Sequence, residues 1–149
     1  MNWIEQAKKV FNNPRPLYFT DHKHCPECLE NHNILSNFCP ETITIKELGN
    51  IGSDPMCFAT TEAGLYYMPA MVRLSIETWN SSTYLDQFLF HLAYGGKDNR
   101  LFLAATNMQR EYIQSFLAWL FSENIEYLES NHMLDQAISA SKVWEGVSA

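Results

Sequence analysis

Basic residues are scarce in this chain: ten Lys and Arg stand against seventeen Asp and Glu, for a net charge of −7. A surface of that sign is repelled by phosphate backbones and anionic headgroups, so neither nucleic acid nor a membrane is an expected partner. Long apolar runs are missing too. No stretch approaches the roughly 18 residues of a membrane span, and Met1 to Lys9 interleaves its apolar positions with Glu5, Lys8 and Lys9 instead of forming a signal-peptide core. The expected location is therefore cytoplasmic. There is no Gly-rich phosphate loop, nucleophile elbow or zinc-protease motif, which removes the commonest nucleotide, acyl-transfer and metalloprotease signatures. Internal repeats, low-complexity tracts and linkers are also absent. Charged types are only 18% of the 149 residues and hydrophobic types 46%. Such a chain buries one sizeable core, so disorder is excluded and a single domain over 1–149 is expected.

What remains is helical periodicity. Trp3, Ile4, Ala7, Val10 and Phe11 share one face of an opening helix that Asn12-Asn13-Pro14 ends. Pro14 and Pro16 hold the following residues extended. Cys25-Pro26 reads as a helix start with Pro in the first turn, running to about Asn37. Thr44-Ile45-Lys46-Glu47 is a capping box for a short helix, with a strand over Thr42 to Lys46 as the competing reading. From Thr60 or Thr61 a long helix is expected to about Asn80, either kinked at Pro69 or beginning near Met68. Tyr84, Leu85, Phe88, Leu89 and Leu92 define another inward face, stopped by Gly95-Gly96. Arg100 to Ala105 reads as a strand-like or extended connection. Thr106 to Gln109 is a second capping box, opening a helix to about Glu129 with Met108, Tyr112, Phe116 and Leu120 on its apolar side. A last helix carries Leu134, Ala137, Ile138 and Trp144. The fold expected is mainly α: an irregular bundle of five or six helices with a Cys/Pro/Gly-containing N-terminal third.

Only four cysteines are present, Cys25, Cys28, Cys39 and Cys57, and in a reducing compartment a C-x-x-C pair favours metal or redox chemistry over a structural disulfide. The segment Asp21 to His32 concentrates that chemistry, holding Cys25, Cys28, His22, His24 and His32. If Cys25 opens a helix, Cys28 at i+3 and His32 at i+7 lie on one face. Zinc takes four N or S ligands, which Cys25, Cys28, His32 and His22 could supply, with His24 or Cys39 as alternatives for the fourth. A second reading lets the helix N-terminus ionise Cys25 or Cys28, with His32 as base or relay. In a third, the cysteines are small buried hydrophobes and the histidines rim residues.

Cys25, Cys28 and His32 form C-x-x-C-x-x-x-H, which resembles the active-site motif of the helical alkylhydroperoxidase and carboxymuconolactone-decarboxylase-like proteins. The resemblance implies that Cys28 attacks a peroxide, Cys25 resolves it and His32 relays the proton. A wider resemblance, from about Phe11 to Leu128, is to an uncharacterised bacterial domain of unknown function. It rests on Cys25-Pro26-Glu27-Cys28, Tyr66-Tyr67-Met68-Pro69-Ala70 and the helix from Gln109 to Leu120. The leading functional expectation is a non-enzymatic bacterial protein-interaction domain with no catalytic residues, possible structural zinc at Cys25/Cys28, and another protein as partner to a monomer or homodimer. The alternatives are a thiol oxidoreductase using Cys25, Cys28 and His32, and a small immunity protein.

Overall fold

A computed structural model describes residues 2–146. The described chain is helical, with no strand and one isolated antiparallel bridge, Thr20 to Ala59. It forms two compact units, Met1–Gln87 and Phe88–Ala149.

In the first unit, α1 (Trp3–Val10) is capped by Asn2 and packs its Trp3 and Ala7 face on α5. An extended segment through the two prolines leads to α2 (Pro26–Ser36), which Cys25 caps and Pro26 starts, as the sequence anticipates. The capping box at Thr44 and Glu47 then forms α3 (Ile45–Leu48), so the strand alternative for Thr42 to Lys46 is set aside. Two 3-10 turns follow, Ile51–Ser53 and Pro55–Cys57, each begun by an Asx side chain, from Asn50 and Asp54 respectively. Beyond them α4 (Thr61–Tyr66) and α5 (Met68–Glu77) are separate helices that break at Tyr67. Pro69 falls in the first turn of α5, where its missing N–H has no intrahelical partner to lose, so the proline costs the fold little. α5 buries Met68, Ala70, Met71, Val72 and Leu74, the apolar centre of this unit.

The helix α6 (Leu85–Ala93) contains the boundary between the units. Gly95 (φ +86°) and Gly96 (φ +56°) stop it with left-handed backbone that residues carrying a Cβ adopt reluctantly. Asn99 then serves two helices. Its amide nitrogen donates to the carbonyls of His91 (2.9 Å), Leu92 (3.1 Å) and Tyr94 (2.9 Å). Its Oδ1 accepts the N–H of Phe102 (2.9 Å), opening α7 (Arg100–Ala104). The expectation of a strand-like or extended run here is corrected: an Asn cap followed by five residues, four of them good helix formers, makes one short helix. α8 (Asn107–Glu123) carries the expected capping box, with Thr106 Oγ1 accepting from Gln109 N and Gln109 Oε1 accepting from Thr106 N. It buries Tyr112, Ile113, Phe116, Leu117 and Leu120, whereas Met108 is 67% exposed at its first turn. α8 ends at Asn124 rather than at Glu129, and α9 (Ile125–Ser130) and α10 (Leu134–Trp144) complete the unit. Trp144 is fully buried, and its indole N–H donates to Leu92 O at 3.0 Å.

The described residues thus hold ten α-helices in place of five or six. The excess comes from breaks at Tyr67 and Asn124 and from the short helices α3 and α7, whose ends side chains satisfy locally.

Candidate metal and thiol site

The site is built by the backbone around Cys25. His24 N–H donates to Asp21 O (3.0 Å), closing a turn that delivers the chain to the start of α2. Cys25 itself is extended (φ −160°, ψ 166°), the backbone an N-cap requires, and Leu29 N–H already bonds its carbonyl at 3.1 Å. In place of the usual hydroxyl or carboxylate oxygen, the Cys25 sulfur accepts the N–H of Cys28 at 3.3 Å. One turn along, the two sulfurs lie 3.2 Å apart as free thiols. His24, just before the cap, places Nδ1 3.6 Å from the Cys28 sulfur. One donor atom from each of His24, Cys25 and Cys28 lies within 4.8 Å of the other two.

The sulfurs are not equivalent. Cys25 is half-buried and Cys28 buried. The thiol of Cys28, the Cys28 backbone N–H and the His24 ring all stabilise a Cys25 thiolate, lowering its pKa to about 7. Cys28 is pushed up, first by its hydrogen bond with Cys25 and then by burial. His24 is raised, chiefly by its interaction with the Cys25 sulfur. Thr20, itself buried, donates its hydroxyl to Cys28 O at 2.6 Å and ties the first turn of α2 to the extended segment.

The remaining sequence candidates are placed elsewhere. His32 accepts the Phe19 N–H at Nδ1 (3.2 Å), and its ring centroid lies 5.0 Å from that of His22. Burial and the neighbouring His22 lower the pKa of His32. His22 stacks in turn on Tyr18, with centroids 5.1 Å apart. Cys39 pairs its sulfur with Thr42 Oγ1 at 3.3 Å. The donor group therefore joins Cys25 and Cys28 to His24, which the sequence reading held as an alternative, while His22, His32 and Cys39 have the partners just given.

Sequence reasoning passed over the residues that hold this segment down. Arg15 reaches Phe38 O (2.9 Å), Ser36 O and Tyr66 OH (3.0 Å), and its guanidinium lies over the rings of Phe19 and Tyr66. Tyr67 OH donates to Leu35 O and to Phe38 O. Between them they satisfy the carbonyls at the C-terminal end of α2, where a cation is also favoured by the helix dipole. Arg15 lies between Pro14 and Pro16, on the segment they hold extended. The chain has no significant match to any protein-family model, curated protein or solved structure.

Proposed function

We propose that this protein is a zinc-binding recognition module, holding the ion through His24, Cys25 and Cys28 and acting by contact with another protein. The observation that carries the reading is the convergence of two sulfurs and one imidazole nitrogen at the start of α2. Two thiolates and a neutral imidazole are the ligand set zinc prefers. With bonds of about 2.3 Å to sulfur and about 2.0–2.1 Å to nitrogen, a tetrahedral ion separates a sulfur–nitrogen pair by about 3.5 Å. The 3.6 Å between Cys28 and His24 meets that requirement. A sulfur pair on the same ion stands about 3.8 Å apart, so the 3.2 Å pair must open by roughly half an ångström. The fourth position is left to water or to a donor from a partner. Leu17, Tyr18 and Leu29, on the segments that carry the site, expose 80%, 53% and 45% of their surface, which supports recognition of a protein over a small polar ligand.

Elemental analysis of protein purified without added metal tests the reading, together with cobalt(II) titration, which reports thiolate ligation by its charge-transfer absorption. One ion per chain, lost in Cys28→Ser and in His24→Ala, is the expected result. An unaltered stoichiometry in His24→Ala would reject this ligand set.

A further inference from the structure

We infer that Cys25 and Cys28 also form a redox dithiol, in which Cys25 attacks the disulfide of a small-molecule or protein substrate and Cys28 displaces the resulting adduct. The inference goes beyond the metal reading and does not depend on it. Its basis is positional. Cys25 is the more accessible of the two sulfurs, and it caps α2 with a backbone N–H directed at it. An attacking thiolate needs both access and a donor for its charge. Cys28 is shielded, tethered through its carbonyl to Thr20, and in contact with the sulfur it would attack. Closing a disulfide brings 3.2 Å down to about 2.05 Å, a shift within the reach of side-chain rotation at a C-x-x-C turn. His24, at 3.6 Å from the Cys28 sulfur, is placed to take the proton that Cys28 must lose.

The reaction balances in two exchanges. The Cys25 thiolate attacks one sulfur of R–S–S–R′, forming Cys25–S–S–R and releasing R′S⁻, which takes up a proton. Cys28 gives its proton to His24 and attacks the Cys25 sulfur, forming the Cys25–Cys28 bond and releasing RS⁻, which is protonated in turn. Two thiols of the protein are oxidised and one substrate disulfide is reduced to two thiols. This order is the reverse of the one implied by the C-x-x-C-x-x-x-H resemblance, where the second cysteine attacks. It also gives the proton to His24, since His32 Nδ1 is engaged by the Phe19 N–H. Any ion held by the two thiolates is expelled when they bond to each other.

The test uses the full chain with Cys39 and Cys57 changed to Ser, reduced, stripped of metal with a chelator and mixed with bis(2-hydroxyethyl) disulfide. The products are mapped by mass spectrometry over time. The expected end product is the Cys25–Cys28 disulfide, with Cys28→Ser arrested at a mixed disulfide on Cys25. Cys25→Ser should slow all modification by at least about tenfold, and because serine is itself a good N-cap this variant keeps its helix. Two separate mixed disulfides as the end product, or modification of Cys28 in Cys25→Ser at the parent rate, would overturn the inference. If Cys28→Ser does not fold, the product map of the parent chain decides. Because the protein starts metal-free, a failure to bind zinc leaves this readout intact, and a zinc-binding chain that closes no disulfide loses only this inference.

Discussion

The helices α2 and α8 reach order by opposite routes. α8 buries six residues along seventeen and begins with a reciprocal capping box, so its own sequence directs both its start and its buried face. α2 buries Cys28, Asn31 and Leu35 only. Polar groups outside the helix hold it instead: Arg15 and Tyr67 at its C-terminal carbonyls, Thr20 at Cys28 O, and Phe19 N–H at His32. A helix held by its rim has side chains to spare for chemistry, and α2 is where the thiols sit. A helix held by its apolar stripe has none, since each inward position is needed for packing.

That contrast can be broken from either side. The largest effect is expected at α8, where Phe116→Ala leaves a cavity beside Phe88 and costs about 3–5 kcal/mol, read as a lowered denaturation midpoint. At α2 the heaviest single loss is expected from Tyr67→Phe. That change removes one hydroxyl and takes this donor from the Leu35 carbonyl, while Phe38 O keeps Arg15, for about 1–3 kcal/mol. If Tyr67→Phe proves neutral, polar tethers do not hold α2. Thr106→Ala tests the cap of α8 and should cost about 1 kcal/mol, with Thr106→Ser restoring most of it.

A smaller effect is expected with pH. The folded-state pKa of His32 is lowered by burial and by His22, so the native state prefers the neutral ring. Its contribution is complete above the unfolded value near 6.5 and is lost as pH falls through the folded value. Stability should therefore drop on acidification below about pH 6.5, and His32→Gln should flatten that part of the curve. An unchanged profile in His32→Gln would assign the acid sensitivity to other groups. Least of all, in protein stripped of metal, Cys25→Ser should leave the midpoint within about 0.5 kcal/mol, because a hydroxyl caps the helix as well as the sulfur does.

The same contrast explains what could be read from the sequence. Capping boxes, Pro26 after Cys25 and the Phe116 stripe are local signals, and the elements they mark begin where they were expected, although α8 stops short of Glu129. α7 was missed because its apolar composition suits strand and helix alike, although Asn99 before it was a usable cap signal. His24 ranked behind His32 because helical spacing orders only residues inside the helix. A residue just ahead of the cap follows the turn, here the Asp21–His24 hydrogen bond, and so escapes the periodicity that put His32 on the cysteine face. Arg15 and Tyr67 act across 21 and 32 residues, and no window of pattern reasoning spans that separation.

The hydrogen bonds from Thr60 to the segment ahead of the thiols carry a consequence for synthesis. Thr60 N–H bonds Phe19 O, and its hydroxyl bonds Tyr18 O across 42 residues. Cys25 and Cys28 are polymerised before Thr60. During that interval Tyr18 and Phe19, ahead of the turn, lack this anchor. The extended segment that leads into the thiol turn is thus fixed late, by a residue that carries no sulfur.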